Sequence, residues 1–201
     1  CRTYPNLLTY DGVLGMEQGA RCKPENSNWL PFIRNAVGPM DFTPGSMFSA
    51  QPEDNRSTGA NPMGTGTRAY QMALYVVSES PLQMPADNPV LYRREHLCTE
   101  FLAAVPTTWD SLRVCGREVV VARRKGDKWY VGGITNDRSY TTEIALDFLP
   151  AGRTFTKTSF EDGVNADLQA TDYRKRVREV DASTVVKVEM VRNGGWAAVI
   201  E

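Results

Sequence analysis

The sequence lacks a long apolar run, an excess of one charge and more than a single histidine. No stretch reaches the roughly 20 apolar residues of a membrane-spanning helix, and the N-terminus does not resemble a signal peptide. A formal net charge of −1 gives no electrostatic basis for nucleic acid or an anionic membrane as a partner. Any Ser-His-Asp triad would have to use His96, which lies in a polar stretch and is expected at the surface.

The cysteines also lack a metal-binding spacing such as C-x-x-C. The four of them permit disulfides but allow three pairings, and the sequence does not choose among these. The chain begins with Cys1 rather than Met, which suggests a mature product, a trimmed chain or a fragment of a longer protein.

Strands and helices are predicted to alternate over residues 1–80. The expected order is a buried strand at 2–10, a loop, a helix, a short strand at 39–44, a long loop at 45–66 and a second helix. This alternation is typical of βα units. In a (β/α)8 barrel the active site lies where strands lead into loops, and a whole barrel needs about 250 residues. The chain is therefore expected to hold only part of a barrel.

Two helices are predicted from their caps and apolar faces. The first is expected to start at Asn28 as N-cap, with Pro31 in its first turn and a C-terminal glycine at Gly38. Its apolar face would comprise Leu30, Ile33 and Val37. The second carries a wide apolar stripe at i, i+3, i+4, i+7 and i+8, namely Ala69, Met72, Ala73, Val76 and Val77.

From about residue 105 the pattern changes to short alternating strands. Residues 118–123 and 129–134 flank a turn at 125–128, which predicts a hairpin. Alternating segments follow at 142–148, 186–190 and 196–200, and no helix pattern interrupts them. We expect an α/β plus all-β chain, with βα units that form part of a (β/α)8 barrel in residues 1–104 and an antiparallel β-sandwich in residues 105–201.

Asp11 and Glu17 are the residues whose side chains most clearly suit catalysis or metal binding. They lie in the loop of residues 11–17, which we call the acidic loop. Two carboxylates at the end of a strand suit glycoside hydrolysis, which uses one as an acid and a second as base or nucleophile. They also suit a hard cation held by carboxylate oxygens. A pair of solvated loop acids has the same pattern, so the spacing alone leaves all three interpretations open.

Longer motifs are more specific. Residues 2–17, 30–45, 67–77, 81–84, 101–109 and 120–130 closely resemble glycoside hydrolase family 97. The motifs occur in order and run through about two thirds of the chain. The family consists of calcium-dependent α-glucosidases and α-galactosidases with an N-terminal β-supersandwich, a catalytic barrel and a C-terminal β-sandwich.

The resemblance assigns roles within the acidic loop. In the family motif E-G-x-x-G-x-E the last glutamate is the general acid, which corresponds to Glu17. The first glutamate is a calcium ligand, and here Asp11, one methylene shorter, takes its position. The family's other catalytic carboxylate and calcium ligand lie upstream.

The resemblance also implies how the chain would work. It would be the C-terminal segment of an exo-acting α-glycoside hydrolase, with the last βα units of the (β/α)8 barrel in residues 1–104, and it would be catalytically incomplete on its own. It would depend on Ca2+, an α-linked oligosaccharide substrate and the missing N-terminal part of the same enzyme. Its location would be periplasmic or secreted. The resemblance separates neither inverting from retaining mechanisms nor glucosides from galactosides.

A non-catalytic carbohydrate-binding or scaffold protein is the alternative, with the β-sandwich carrying the function. Exposed coplanar aromatic side chains would favour it, whereas Trp129 and Trp196 alternate with strand neighbours and are expected in the core. The basic run at 174–178 is expected to be a solvated strand face. No substrate-binding residue is assigned. The residues considered near the acidic loop, each with a structural role as its alternative, are Asp41, Arg68 and Gln71.

Overall fold

The computed structural model describes residues 9–116 and 119–201, in which β-strands form more of the regular structure than helices do. The helices are α1 (Pro24–Ile33), α2 (Arg68–Val77), α3 (Pro89–Arg94) and α4 (His96–Ala104). The strands are β1 (Asp41–Phe42), β2 (Ser49–Ala50), β3 (Gly64–Thr65), β4 (Leu82–Gln83), β5 (Ser111–Val114), β6 (Val119–Lys125), β7 (Lys128–Ile134), β8 (Tyr140–Ala145), β9 (Phe155–Asp162), β10 (Tyr173–Val180), β11 (Val185–Met190) and β12 (Gly195–Ile200). Short 3-10 segments cover Met16–Arg21, Asn35–Val37 and Pro52–Asp54. None of the described helices has the length and apolar character needed to cross a membrane.

Three short parallel segments lie side by side in the first half of the chain. Tyr10 forms a parallel bridge with Met40, and β1 pairs in parallel with β4. Parallel neighbours require crossover connections, and α1 and α2 lie in the two crossovers. The chain therefore leaves all three segments at the same edge, and the acidic loop starts there. The strand expected at 2–10 falls outside the described residues, except for its last two positions.

The long loop at 45–66 contains more order than its composition predicts. Its two strands, β2 and β3, form a parallel pair with Ser49 opposite Gly64. The Gly64 N–H donates to Ser46 Oγ at 3.0 Å, and a Cβ at residue 64 would collide with that side chain. The absence of a side chain at Gly64 thus permits the contact that orders this segment.

An antiparallel sheet dominates the second half of the chain. Its six strands run in the order β10-β9-β12-β7-β6-β5, and β8 pairs with β11 in a separate two-stranded sheet. The predicted hairpin is present: β6 and β7 pair from Val119 opposite Ile134 to Lys125 opposite Lys128, with Gly126 at φ +57° in the turn. Side chains from both sheets form one apolar cluster, which includes Trp129 and Trp196.

The other face of the six-stranded sheet supports helix α2. The apolar stripe predicts one buried face, and in the structure all ten residues of the helix are buried. Thr67 Oγ1 caps the helix by accepting the Tyr70 N–H at 3.0 Å. Glycines allow the close approach: a Cβ at Gly132 would meet Val76, and one at Gly195 would meet the Tyr70 backbone. Truncating a buried side chain in such a contact typically costs about 2–5 kcal/mol.

Helix α1 departs from its prediction. It begins four residues before Asn28, at Pro24, because a proline at the first helical position is already suited to helix geometry. Pro31 consequently lies inside the helix rather than in its first turn. The face expected to be buried is largely exposed, with Ile33 66% and Val37 77% accessible.

Helices α3 and α4 are not predicted by the sequence analysis. The six residues of α3 are too few to show a helical period, but Asn88 marks its start by accepting the backbone N–H of Val90 and Leu91 at 3.0 and 3.1 Å. In α4, Phe101 packs against Phe160 of β9, with ring centroids 5.3 Å apart. Helix α4 therefore belongs to the packed structure between the two halves, whereas no residue of α3 is buried.

Candidate functional site

The acidic loop is anchored at its start by backbone groups and one arginine. The Asp41 N–H donates to the Tyr10 carbonyl at 2.8 Å. The Arg34 guanidinium donates to the carbonyls of Tyr10 at 2.7 Å, Asp11 at 3.2 Å and Gly38 at 3.1 Å. These contacts fix the point at which the chain leaves the first parallel segment.

The end of the acidic loop is tied to the neighbouring segment. The Met16 N–H donates to the Thr43 carbonyl at 2.8 Å, immediately after β1. The Cys22 thiol donates to the Gly15 carbonyl at 2.8 Å, and Met16 and Cys22 are both buried. Burial, together with the negative charge of Glu17, raises the pKa of the Cys22 thiol to about 12, so this thiol is a structural donor and not a nucleophile.

Glu17 is exposed at the start of the 3-10 segment Met16–Arg21. Its carboxylate folds back over Gly15 and occupies the space that a Cβ at residue 15 would need. Gly15 itself has an ordinary extended backbone, with φ −74° and ψ 159°. The position of Glu17 therefore depends on the missing side chain of Gly15 and not on a backbone conformation that only glycine adopts. Within the described residues, Glu17 forms no ion pair.

Asp11 is also exposed and keeps much of its carboxylate available. Its Oδ1 accepts the Gly12 N–H at 2.8 Å. Gly12 has φ +108°, which side-chain-bearing residues rarely adopt, so glycine is required for this turn.

Calcium prefers oxygen ligands such as these, and usually takes six to eight of them. Within residues 9–116 and 119–201, no group of three or more acidic, histidine or cysteine side chains is close enough to hold a metal. The Asp11 carboxylate thus matches calcium in donor type, and within these residues it belongs to no such group of three.

A pocket of about 610 Å³ opens between the acidic loop and α1. Its walls are mainly apolar and include Leu14 and Trp29, which are 44% and 63% exposed. Neither Asp11 nor Glu17 lines it. Within the described residues, the pocket and the exposed face of α1 form an apolar surface beside the first parallel segment.

The other residues considered near the acidic loop have structural contacts. Arg68 donates to the Met47 carbonyl and forms an ion pair with Glu95 at 2.9 Å. Gln71 Oε1 accepts the N–H groups of Gly45 and Ser46, both at 3.1 Å. Both side chains hold the loop after β1 in place.

Asp41 and His96 differ from Arg68 and Gln71 in their burial and contacts. Asp41 Oδ1 is buried and has no hydrogen-bond partner within the described part of the chain. His96 is exposed at the start of α4, as expected for a surface residue.

Two buried or half-buried acids are missed by the sequence analysis. Asp87, after β4, accepts from Ser46 Oγ and from the backbone N–H of Met47 and Phe48. Burial raises the pKa of the Asp87 carboxyl, and these donors oppose the shift.

Asp162, at the end of β9, accepts from Thr67 Oγ1 at 2.6 Å and from the N–H groups of Val191 and Gly195 at 3.0 and 3.1 Å. Burial raises the pKa of Asp162 to about 7. Its partners lie far apart along the chain, so no local motif marks it.

Trp129 and Trp196 are 9% and 2% exposed and lie in the core, so neither offers a surface for stacking a sugar. Cys22, Cys98 and Cys115 are free thiols, and Cys1 lies outside the described residues.

Comparison with known proteins gives consistent matches. The family profile described as "Glycosyl-hydrolase 97 C-terminal, oligomerisation" matches residues 108–201. A retaining α-galactosidase of Bacteroides thetaiotaomicron is 41% identical over all of this chain, which covers 31% of that protein. A probable retaining α-galactosidase of Streptomyces bingchenggensis is 31% identical over 98% of the chain and 29% of its own length. The chain thus spans about a third of the length of these relatives.

A solved structure agrees with these sequence matches. A glycoside hydrolase family 97 enzyme from Pseudoalteromonas sp. strain K8, in complex with acarbose, superposes on the whole chain with a TM-score of 0.86 and 36% identity. The chain covers 32% of that enzyme, which also has a structure with panose. The β-rich fold with its few helices thus matches about a third of a larger enzyme.

Proposed function

Since the chain belongs to glycoside hydrolase family 97 and corresponds to the C-terminal part of its relatives, we propose that it supplies one half of the active site of an exo-acting α-glycoside hydrolase. The observation that carries this proposal is the acidic loop, which combines the family motif with an exposed Glu17 at the edge where three parallel segments end.

The proposed architecture follows from the pairing of the strands. Tyr10, β1 and β4 are parallel, follow one another in chain order and are connected through α1 and α2, which supports the last βα units of a barrel in residues 1–104. The six-stranded and two-stranded sheets share one apolar cluster, which supports a β-sandwich in residues 105–201.

The rest of the barrel would cover the apolar surface beside Tyr10. Trp29, Phe32, Ile33 and Val37 are each more than half exposed, and helices of a barrel pack against neighbouring helices. The missing N-terminal part of the enzyme is therefore the proposed partner of this surface.

In the proposed mechanism, Glu17 is the general acid that donates a proton to the leaving glycosidic oxygen. A general acid for this reaction must retain its proton near neutral pH, which burial or a neighbouring carboxylate achieves. Both would come from the rest of the enzyme, because Glu17 is exposed in this chain. The second catalytic carboxylate would also lie outside residues 1–201, so the chain alone cannot complete the displacement.

Asp11 would hold Ca2+ as one oxygen ligand, and the ion would supply positive charge to orient and stabilise anionic groups of the site. The Gly12 N–H fixes Asp11 Oδ1, and the Arg34 contacts fix the backbone beneath it. The remaining ligands would come from the part of the enzyme upstream of this chain.

We propose an α-galactoside as the substrate and retention as the stereochemical course, because the relative with 41% identity is a retaining α-galactosidase. An α-linked glucoside is the second candidate, since the Pseudoalteromonas enzyme has structures with panose and acarbose. A periplasmic or secreted location is proposed from the family resemblance. The carbohydrate-binding alternative gains no support from Trp129 and Trp196, which are both buried.

The test compares the intact enzyme with residues 1–201 alone on p-nitrophenyl α-galactoside and α-glucoside, with and without a calcium chelator. We expect turnover by the intact enzyme, faster on the galactoside and reduced by the chelator, and no turnover by residues 1–201. Turnover by residues 1–201 alone would overturn the proposal that the catalytic set is incomplete. Faster turnover of the glucoside would overturn only the substrate assignment.

A further inference from the structure

The face of the β9–β10 hairpin that is turned toward β11 changes from apolar to charged along its length. Residues two apart on a strand share a face. Phe155 and Val180 pair with each other and lie in the apolar cluster, and the next positions on the same face are the pairs Lys157–Arg178, Ser159–Arg176 and Glu161–Arg174. The basic run of β10 therefore faces partner side chains on β9 at alternate positions.

Lys157 is the unusual member of this face. It is only 4% exposed, and its ammonium group donates to Ser159 Oγ at 3.1 Å and lies 5.2 Å from the centre of the Trp196 ring. Within the described residues, no carboxylate oxygen lies within 4.0 Å of its Nζ. A buried cation without an anionic partner is costly, because its lost hydration is not replaced.

The charge of Glu161 offsets only part of this cost, because its carboxylate does not contact the Lys157 ammonium group. Glu161 accepts from Ser159 Oγ at 2.8 Å and pairs with Arg176 Nε at 3.2 Å, so its carboxylate oxygens are already engaged. Burial lowers the pKa of Lys157, Arg178 and Arg176 lower it further, and only Glu161 opposes them.

The space beside Lys157 is a cleft of about 350 Å³ between β10 and β11. Five cationic and three acidic side chains line it. Of these, Lys187 and Glu189 pair with each other, which leaves the excess positive charge on the hairpin side. The cleft thus combines room for a small ligand, a surplus of donors and a buried cation that no carboxylate of the described residues contacts.

We propose that this cleft binds a small oxyanion, namely a phosphate, a sulfate or the carboxylate of an acidic sugar, with Lys157 at its base and Arg178 at its mouth. Charge-assisted hydrogen bonds from a lysine and an arginine are the usual means of holding such groups. The bound anion would place a counter-charge in direct contact with Lys157. The site uses residues of the β-rich half and is independent of the role proposed for Glu17.

Calorimetric titration of the intact protein with phosphate, sulfate, acetate and glucuronate tests the proposal. We expect saturable binding of at least one of them, and the preferred anion identifies the class. Lys157→Met should weaken that binding about tenfold or more. The control is Lys175→Met, which removes the same charge from the same hairpin but on its opposite face, and should change affinity less than about twofold.

Two results would overturn the site. One is the absence of saturable binding of all four anions, and the other is an equal loss of affinity in both variants, which would indicate general electrostatic attraction. If Lys157→Met does not fold, Arg178→Gln takes its place, because Arg178 is exposed and its side chain is not part of the core. Unchanged affinity in that variant would equally contradict the proposal.

Discussion

Thr67 Oγ1 donates a hydrogen bond to Asp162 Oδ1 at 2.6 Å and accepts the Tyr70 N–H at 3.0 Å. One hydroxyl therefore caps helix α2 and joins it to the end of β9. The same carboxylate accepts the N–H groups of Val191 and Gly195, so it connects the helix that follows the parallel segments with the β-rich half. This contact links the half that carries the acidic loop to the half that supports it.

Replacing this hydroxyl should destabilise the protein. Thr67→Ala removes the helix cap, which is worth about 1 kcal/mol, and leaves the buried Asp162 short of a donor, which costs about 1–3 kcal/mol. We expect the free energy of unfolding in urea to fall by about 2–4 kcal/mol. Thr67→Ser keeps both hydrogen bonds and should lose less than about 1 kcal/mol. Equal losses of unfolding free energy in Thr67→Ala and Thr67→Ser would show that the hydroxyl group does not stabilise the protein.

Asp162 should make stability depend on pH. Its pKa of about 7 in the folded protein lies above the value of about 3.9 for an unfolded aspartate. The folded state therefore holds a proton that the unfolded state has released, and stability that is present below about pH 4 is lost as the pH rises through 7. The slope between these values should approach about 1.4 kcal/mol per pH unit.

The measurement is a series of urea unfolding curves between pH 4 and 8, for the unmodified protein and for Asp162→Asn. Because asparagine does not titrate, the difference between the two series isolates the contribution of Asp162. A difference that stays constant across this range would contradict the predicted titration.

Gly15 should control the position of the Glu17 carboxylate. Gly15→Ala leaves an unstrained backbone but forces the carboxylate away, since the two would occupy the same space. A displacement of about 1 Å can cost a hundredfold in rate, so we expect kcat of the intact enzyme to fall by about 10- to 100-fold with little change in stability.

Gly12→Ala provides a matched comparison in the same loop. There the added Cβ meets nothing within 4 Å, but the backbone at φ +108° is strained. This variant should lose stability in thermal unfolding, by about 1–3 kcal/mol. If Gly15→Ala retained full activity, the carboxylate position seen here would not be the one used in catalysis.

The sequence predicts the elements that have a long and regular pattern. The stripe of α2 and the alternation around the β6–β7 hairpin both correspond to the structure. Helix α1 is displaced because two signals compete: Asn28 is a good N-cap, but Pro24 provides an earlier start. Helix α3 is too short to show a helical period. The short strand expected at 39–44 contains β1, whereas β4 has only two residues and is revealed by its pairing with β1.

The candidate site is predictable only where its residues are close in sequence. Asp11 and Glu17 share one loop and one motif, so the sequence alone indicates both as candidates. Asp162 has hydrogen-bond partners 95 residues before and 29 residues after it, so no local sequence pattern indicates them. The space shared by Gly15 and Glu17 likewise becomes visible only in three dimensions.

The central claim, that Glu17 is the general acid, is tested most directly by the dependence of rate on the leaving group. Glu17→Gln should be made in the intact enzyme and assayed with aryl α-galactosides of increasing leaving-group pKa. Activated leaving groups depart without protonation, whereas poor ones require it. We therefore expect a small loss of kcat/KM for the dinitrophenyl substrate and a loss of about 100-fold or more for the unsubstituted phenyl substrate. An equal loss for all leaving groups would contradict the assignment of Glu17.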